Sequence, residues 1–108
     1  MKQYEIRFDP DAEIEALDAA QYIARRHPMN ALRWYTGLEK AINSLKIMPQ
    51  RSAKARESDF VGEDLHQYIY KSHRIIFRIE EDARIVRILH IRHASQRSIG
   101  ESETEDQD

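Results

Sequence analysis

The chain lacks cysteine altogether and has only three glycines and three prolines among its 108 residues. Without cysteine, a disulfide scaffold, a thiolate nucleophile and a Cys-ligated zinc site are excluded, and a reducing cytoplasm suits the protein. The apolar runs are only a few residues long, so we expect no membrane span and no signal peptide. The glycines, at 37, 62 and 100, are too scattered for a phosphate-binding loop. The composition of the chain, with 41% hydrophobic and 33% charged residues, is typical of one globular domain.

The formal net charge of -2 is divided unevenly along the chain. Residues 98–108 contain five acidic residues and no Lys or Arg. Subtracting them from the 19 acidic residues leaves 14 against 17 basic residues in 1–97, a formal charge of +3. We therefore predict a mildly basic domain over 1–97 and an acidic, disordered tail over 98–108.

The first half of the chain predicts one strand and two helices. Tyr4, Ile6 and Phe8 alternate with polar residues, as in a half-buried strand. Asp9-Pro10 is an N-cap followed by proline at the first helical position, and the helix should end near Arg26, before Pro28. A second helix should begin near Pro28 or Asn30 and end before Met48-Pro49, forming an antiparallel hairpin with the first. Its apolar stripe is Ala31, Trp34, Tyr35, Leu38, Ala41, Ile42 and Leu45. Gly37 inside it predicts a close helix–helix contact.

The second half predicts a polar loop over 49–64, with Phe60 as its anchor, and then three strands over 65–71, 74–79 and 85–93. The last of these strands is mostly apolar, so we expect it to be central in the sheet. The order is β-α-α-β-β-β. This order defines an α+β fold, a two-layer sandwich in which an antiparallel helical hairpin packs on a small, mainly antiparallel sheet.

Basic residues and histidines concentrate in the predicted strands. Seven basic residues and four of the five histidines lie in 66–97, and the only acidic residues there form one turn, Glu80 to Asp82. A basic sheet face attracts phosphates or an acidic protein segment. The opposing interpretation is that strand arginines only keep an edge soluble. The predicted target-binding residues are Lys71, His73, Arg78, His90 and Arg92.

Arg74, His93 and Arg97 lie at or just beyond strand ends, where they can converge on one phosphate. Histidine supplies acid–base catalysis near neutral pH, and arginine neutralises charge on the phosphorane. Strand alternation places Arg92 and His93 on opposite faces, so one of that pair is expected to be structural or to lie beyond the strand. We predict no metal site, because His90 and His93 diverge on a strand and have no paired carboxylates. No cofactor is expected.

Several segments resemble the RelE/ParE superfamily of type II toxins, which includes plasmid stabilisation proteins. The similar segments cover roughly residues 4–97. They are Tyr4-Glu5-Ile6-Arg7-Phe8-Asp9-Pro10-Asp11-Ala12, Tyr22-Ile23, Pro28-Met29-Asn30-Ala31, Leu45 with Met48-Pro49, Tyr68 to Ile79, and Ile88-Leu89-His90-Ile91-Arg92-His93. The family fold implied by this resemblance, a small sheet on a helical hairpin, agrees with the predicted order.

The resemblance implies a growth-inhibiting cytoplasmic toxin that a cognate antitoxin neutralises with an extended segment, and it is compatible with a toxin–antitoxin heterotetramer. RelE-like members cut messenger RNA on the ribosome without a metal, and ParE-like members poison DNA gyrase. In the ribonuclease pattern, Arg74 matches an arginine that contacts substrate phosphate. Lys71, His93 and Arg97 lie near other functional positions of that pattern.

The ParE-like branch is favoured. After Arg97 the chain has no Tyr, Phe or His to stack on a base or move a proton, and its long helical hairpin and Arg92-His93 ending resemble ParE. The alternatives are a RelE-like ribosome-dependent endoribonuclease and a degenerate, non-toxic binding module. The sequence therefore leaves open whether the protein is an enzyme.

Overall fold

A computed structural model of the chain describes residues 3–96. Its elements are β1 (Glu5–Phe8), α1 (Pro10–Ala24), α2 (Pro28–Asn43), β2 (Ala53–Lys54), α3 (Ser58–Val61), β3 (His66–Tyr70), β4 (His73–Glu80) and β5 (Ile85–His93). Single 3₁₀ turns at Ser44–Lys46 and Pro49–Arg51 connect α2 to β2. Residues 97–108, and with them the predicted tail, lie outside the described residues. Within residues 3–96, no helix combines the length and the apolarity that crossing a bilayer requires.

The five strands form one sheet in the order β1-β5-β4-β3-β2. β1 is parallel to β5, and the other neighbours are antiparallel. β5 is an interior strand, but β4 occupies the centre, because β1 and β2 extend the sheet on either side. With α1 and α2 packed against one face, the predicted α+β two-layer sandwich is confirmed.

The main core lies between the sheet and the helical hairpin. α2 contributes Trp34, Leu38 and Ile42, and the strands contribute fully buried Phe77 and Ile88. Burying such side chains stabilises the fold by roughly 1.5–3 kcal/mol each. The stripe predicted for α2 therefore packs as expected, and alternation along β4 and β5 leaves the intervening side chains on the opposite, outer face.

The outer face of the sheet is covered in part by the segment predicted to be a polar loop. This segment forms a 3₁₀ turn, β2 and α3, and it builds a second small core. That core contains Ala55, Leu65, Ile76 and Leu89. The prediction that Phe60 anchors the segment is wrong, because its side chain is 47% exposed. The anchor is instead polar: Ser58 Oγ accepts a hydrogen bond from Leu65 N at 2.8 Å.

Gly37 faces the sheet, so the predicted helix–helix contact is not its role. A Cβ atom at this position would lie 2.1 Å from the hydroxyl oxygen of Tyr70 on β3. That hydroxyl donates a hydrogen bond to the carbonyl oxygen of Trp34 at 2.9 Å. The glycine therefore lets a tyrosine of the sheet reach the backbone of α2.

Candidate functional site

The predicted catalytic and binding residues are divided between the two faces of the sheet. His73 lies directly opposite His93 across the β4–β5 pair, and Arg74 lies opposite Arg92. His73 contacts Trp34 of α2, so the histidine pair faces the helices. Because neighbouring residues of a strand point to opposite sides, Arg74 and Arg92 face outward. The structure therefore does not bring Arg74 and His93 together around one phosphate.

On the helical side, three rings form a cluster at the ends of β4 and β5. The centroid of the His73 ring is 5.0 Å from that of Trp34 and 5.2 Å from that of His93, both in edge-on arrangements. Burial, together with the charge of His93, lowers the pKa of His73, so His73 is neutral near pH 7. His93 Nδ1 accepts a hydrogen bond from Ser95 N at 3.1 Å, which leaves its Nε2 to carry the proton in the neutral ring.

This cluster forms part of the wall of a groove of about 710 Å³ between α1 and the strand ends. Lys71 also lines the groove from the β3–β4 turn, where it has a left-handed backbone with φ of 52°. A neutral histidine, a second histidine and a lysine can bind an anion and exchange a proton with it. Glu15 and Asp18 line the α1 side, so the groove contains charges of both signs.

On the outer face, Arg74 is held in a buried ion pair. Its guanidinium donates to Glu57 in two hydrogen bonds, Nη1 to Oε1 at 2.9 Å and Nη2 to Oε2 at 2.5 Å. Nη1 also donates to Gln67 Oε1 at 2.9 Å. Burial alone raises the pKa of Glu57, but the hydrogen bonds and charge of Arg74 outweigh it and lower that pKa. Arg74 is only 4% exposed, so a phosphate reaches its guanidinium only if Glu57 is displaced.

Other basic side chains of β4 and β5 also contact carboxylates. Arg78 bonds to Glu63 at 2.7 Å, and Arg87 bonds to Glu80 at 2.6 Å. The hydrogen bond from Arg87 is the main reason that the pKa of Glu80 is lowered. The predicted basic face is therefore largely neutralised by carboxylates. Glu57 and Glu63 come from the segment before β3, and Glu80 ends β4 itself.

Glu15 of α1 is a fourth carboxylate beside these strands, after Glu57, Glu63 and Glu80. It lies 3.1 Å from His90 Nδ1 and 4.0 Å from Arg92 Nη1, and it accepts the Ile91 backbone N–H at 3.0 Å. It thus covers the edge of β5 beyond the end of β1. In the sequence, the only indication of this contact is that the first predicted helix contains the acidic residue Glu15.

The roles predicted for Arg74, His93, Lys71, His73, Arg78, His90 and Arg92 stay predictions, and Arg97 lies outside the described residues. Within residues 3–96, no group of three or more His, Asp or Glu side chains is placed to hold a metal ion. Sequence reasoning missed Glu57 and Gln67 as partners of Arg74. It placed Trp34 in the core, where it is, without anticipating its contact with His73.

Three solved structures of toxins or toxin–antitoxin systems are similar in fold to this chain. The chromosomal ParDE system from P. aeruginosa matches with a TM-score of 0.69 and 15% identity, covering 84% of this chain and 96% of that one. The toxin–antitoxin complex RelBE2 from Mycobacterium tuberculosis matches with a TM-score of 0.60 and 20% identity, covering 89% and 97%. An arginine double mutant of E. coli toxin RelE in the free state matches with a TM-score of 0.56 and 16% identity, covering 86% and 85%.

These similarities establish the RelE/ParE fold. No curated protein sequence gives a significant match to the chain. The family model for the ParE toxin of the type II toxin–antitoxin system parDE matches residues 6–98. The chain therefore belongs to the ParE toxin family, and the resemblance to RelE/ParE toxins is confirmed.

Proposed function

We propose that this ParE-family toxin acts in the cytoplasm by binding DNA gyrase, without cutting RNA, until a cognate antitoxin neutralises it. One observation carries the proposal: Arg74, the arginine that matches the phosphate-contacting position of the ribonucleases, is engaged by Glu57 and Gln67.

Releasing Arg74 to bind a phosphate has a large energetic cost. Breaking a buried ion pair by removing one partner costs roughly 3–5 kcal/mol, because a charge is left without compensation. A phosphate that displaced Glu57 would have to offset that cost through its own contacts with Arg74. The Glu57 carboxylate would then remain buried beside the phosphate. A ribonuclease needs an arginine that is already positioned to bind the charged phosphate of the transition state. In this protein the guanidinium of Arg74 binds Glu57 instead.

The paired arginines elsewhere on β4 and β5 support the same proposal. RNA binding depends strongly on unpaired cations that replace counterions at the phosphates. Arg78 and Arg87 instead contact Glu63 and Glu80. An outer face with this balance of charges favours a protein target over a polyanion.

The histidine groove supports the alternative function, a ribosome-dependent endoribonuclease. His73 and His93 are adjacent, differ in environment and lie with Lys71 on one groove. Histidine is the side chain most often used as a general acid or base near neutral pH, and two of them lie here within reach of one bound group. In that case the reaction takes place on the helical side of the sheet and does not use Arg74.

One experiment distinguishes these functions. The toxin is induced in cells, messenger RNA ends are mapped by primer extension, and purified toxin is incubated with gyrase and plasmid DNA. We expect protein-linked cleaved DNA and a DNA-damage response, with messenger RNA intact.

His93→Ala should leave gyrase poisoning unchanged, with Arg33→Ala on the exposed side of α2 as a matched control. Codon-phased messenger RNA cleavage that His93→Ala abolishes would establish the ribonuclease instead. Normal growth under strong induction would indicate a non-toxic binding module.

The proposed partners are a cognate antitoxin and gyrase. The solved neighbours include a toxin–antitoxin complex, which supports the antitoxin. Mass measurement of the co-expressed pair tests the heterotetramer: two copies of each chain are expected, and a stable one-to-one complex would rule it out.

A further inference from the structure

The two histidines at the ends of β4 and β5 form a cross-strand pair. His73 lies opposite His93 in the antiparallel register. The flanking hydrogen bond from Ala94 N to Ser72 O, at 2.8 Å, makes this position a non-hydrogen-bonded pair. Side chains approach closely at such a position, because the Cα atoms are only about 4.5 Å apart. The fold therefore holds two imidazoles side by side on the helical face of the sheet.

The separation of the two rings equals that of two imidazoles bound to one metal ion. With Zn–N bonds of about 2.0–2.1 Å at a tetrahedral angle, the centres of two coordinating imidazoles lie about 5 Å apart. The centroids of His73 and His93 are 5.2 Å apart, and the ring planes are inclined by 80°. Rotating a ring about its Zn–N bond leaves the separation unchanged, so inclined planes are compatible with a shared ion.

Each ring has a nitrogen to which no other group of residues 3–96 bonds. Nδ1 of His73 is buried without a hydrogen-bond partner there, whereas buried polar atoms are normally paired. In His93, Ser95 contacts Nδ1, with Oγ at 2.7 Å and the backbone N at 3.1 Å, and Nε2 is left for an ion. An ion on Nε2 moves the proton of the neutral ring to Nδ1, where Ser95 Oγ can accept it. A hydrogen bond of this kind orients metal-binding histidines.

The charges and donor atoms of the groove define the kind of ion. Glu15 and Asp18 line the facing wall and favour a cation, and Lys71 opposes one, so we expect a modest affinity. Imidazole nitrogen binds zinc, copper and nickel, whereas magnesium and calcium prefer oxygen. Because no third His, Asp or Glu side chain of residues 3–96 completes a metal-binding group with this pair, water fills the other coordination positions.

We propose that His73 and His93 bind one zinc ion, through one ring nitrogen each, in the histidine groove. The ion joins the ends of β4 and β5 and stabilises the folded toxin. It also occupies lone pairs that the two histidines would need for proton transfer, so it inhibits any acid–base chemistry in this groove. The site does not depend on the cellular target or on the antitoxin, and its failure would leave the proposed function unchanged.

The test titrates the full chain, purified without a histidine tag, with zinc chloride in a calorimeter. We expect one zinc ion per chain and a higher Tm in the presence of zinc. His93→Ala should weaken binding at least about tenfold, and this variant should fold because His93 is exposed. His27→Ala is the matched control, because His27 is also exposed but does not line the groove, and its affinity should equal that of the wild type. Magnesium chloride should give no comparable binding.

Nitrogen-15 NMR of the imidazoles gives an independent readout. Zinc should shift the ring nitrogens of His73 and His93, convert His93 to the Nδ1–H form, and leave His27 and His66 unchanged. If His93→Ala binds zinc as tightly as the wild type, or if the shifts fall on the other histidines, the proposed site is wrong. Half an ion per chain with dimerisation would mean that zinc bridges two copies, and equal binding of magnesium would mean that carboxylates are the ligands. Either result would overturn the proposal.

Discussion

Replacing Gly37 with alanine tests the contact between the helical hairpin and the sheet. In an isolated helix this substitution stabilises by roughly 1 kcal/mol, because alanine has the higher helix propensity. Here the new Cβ atom would lie 2.1 Å from the Tyr70 hydroxyl oxygen and 3.0 Å from Tyr70 Cζ. The tyrosine has to move, and its hydrogen bond to Trp34 O is lost.

The expected magnitude follows from three opposing contributions. Overpacking a core site costs about 1–3 kcal/mol. The lost hydrogen bond costs roughly 1 kcal/mol, and helix propensity returns roughly 1 kcal/mol. We expect Gly37→Ala to lower the free energy of unfolding by about 1–3 kcal/mol.

Tyr70→Phe separates the causes. Removing the hydroxyl should cost about 1 kcal/mol alone. In the Tyr70→Phe background, Gly37→Ala should be close to neutral, because only the approaches to Cζ at 3.0 Å and to Cε1 at 3.3 Å remain. The double-mutant cycle should therefore give a coupling of at least about 1 kcal/mol.

The assay is urea unfolding followed by circular dichroism, with Thr36→Ala, on the exposed side of α2, as the control for helix propensity. A stabilised Gly37→Ala variant, or additive effects of the two substitutions, would refute the close approach of Tyr70 as the reason for this glycine.

Three further predictions concern charge. Glu57→Gln should destabilise the protein by about 3 kcal/mol, because it leaves Arg74 buried without a counter-charge; Glu63→Gln, at a half-exposed pair, should cost no more than about 1 kcal/mol, and equal losses in urea unfolding would contradict the burial argument. Since the pKa of His73 is lowered in the folded state, the unfolded chain binds the proton more readily, so stability should fall as the pH drops below about 6.5. His73→Phe should remove this loss of stability at pH values above those at which carboxylates titrate. An unchanged dependence of stability on pH would exclude His73 as the cause. Removing residues 98–108 should raise nucleic-acid affinity at low salt if the acidic tail screens the domain, and unchanged binding in a filter assay would refute this.

Local patterns were sufficient to predict most of the fold. Alternation in β1 and β4, the Asp9-Pro10 helix start and the apolar stripe of α2 each reflect a short-range periodicity that burial enforces. The segment 49–64 was predicted poorly, because its small core depends on contacts with Ile76 and Leu89, which lie far along the chain.

The candidate site was predictable only as a set of residues. Strand periodicity shows that Arg74 and His73 point to opposite faces, but it does not show which face the helices cover. The pairing of Arg74 with Glu57 joins residues 17 positions apart, and that of His90 with Glu15 joins residues 75 apart. No local pattern connects such pairs.

Composition and periodicity are properties of the chain. The class of fold, the family resemblance and the excess of basic residues near the C-terminus could therefore be predicted from the order of residues. Which of those basic side chains are free to bind a target depends on the three-dimensional structure. It places Glu57 against Arg74 and Glu63 against Arg78, and it leaves the histidine groove open. Electrostatic interaction depends on distance and burial in space, and the order of residues along the chain does not specify either.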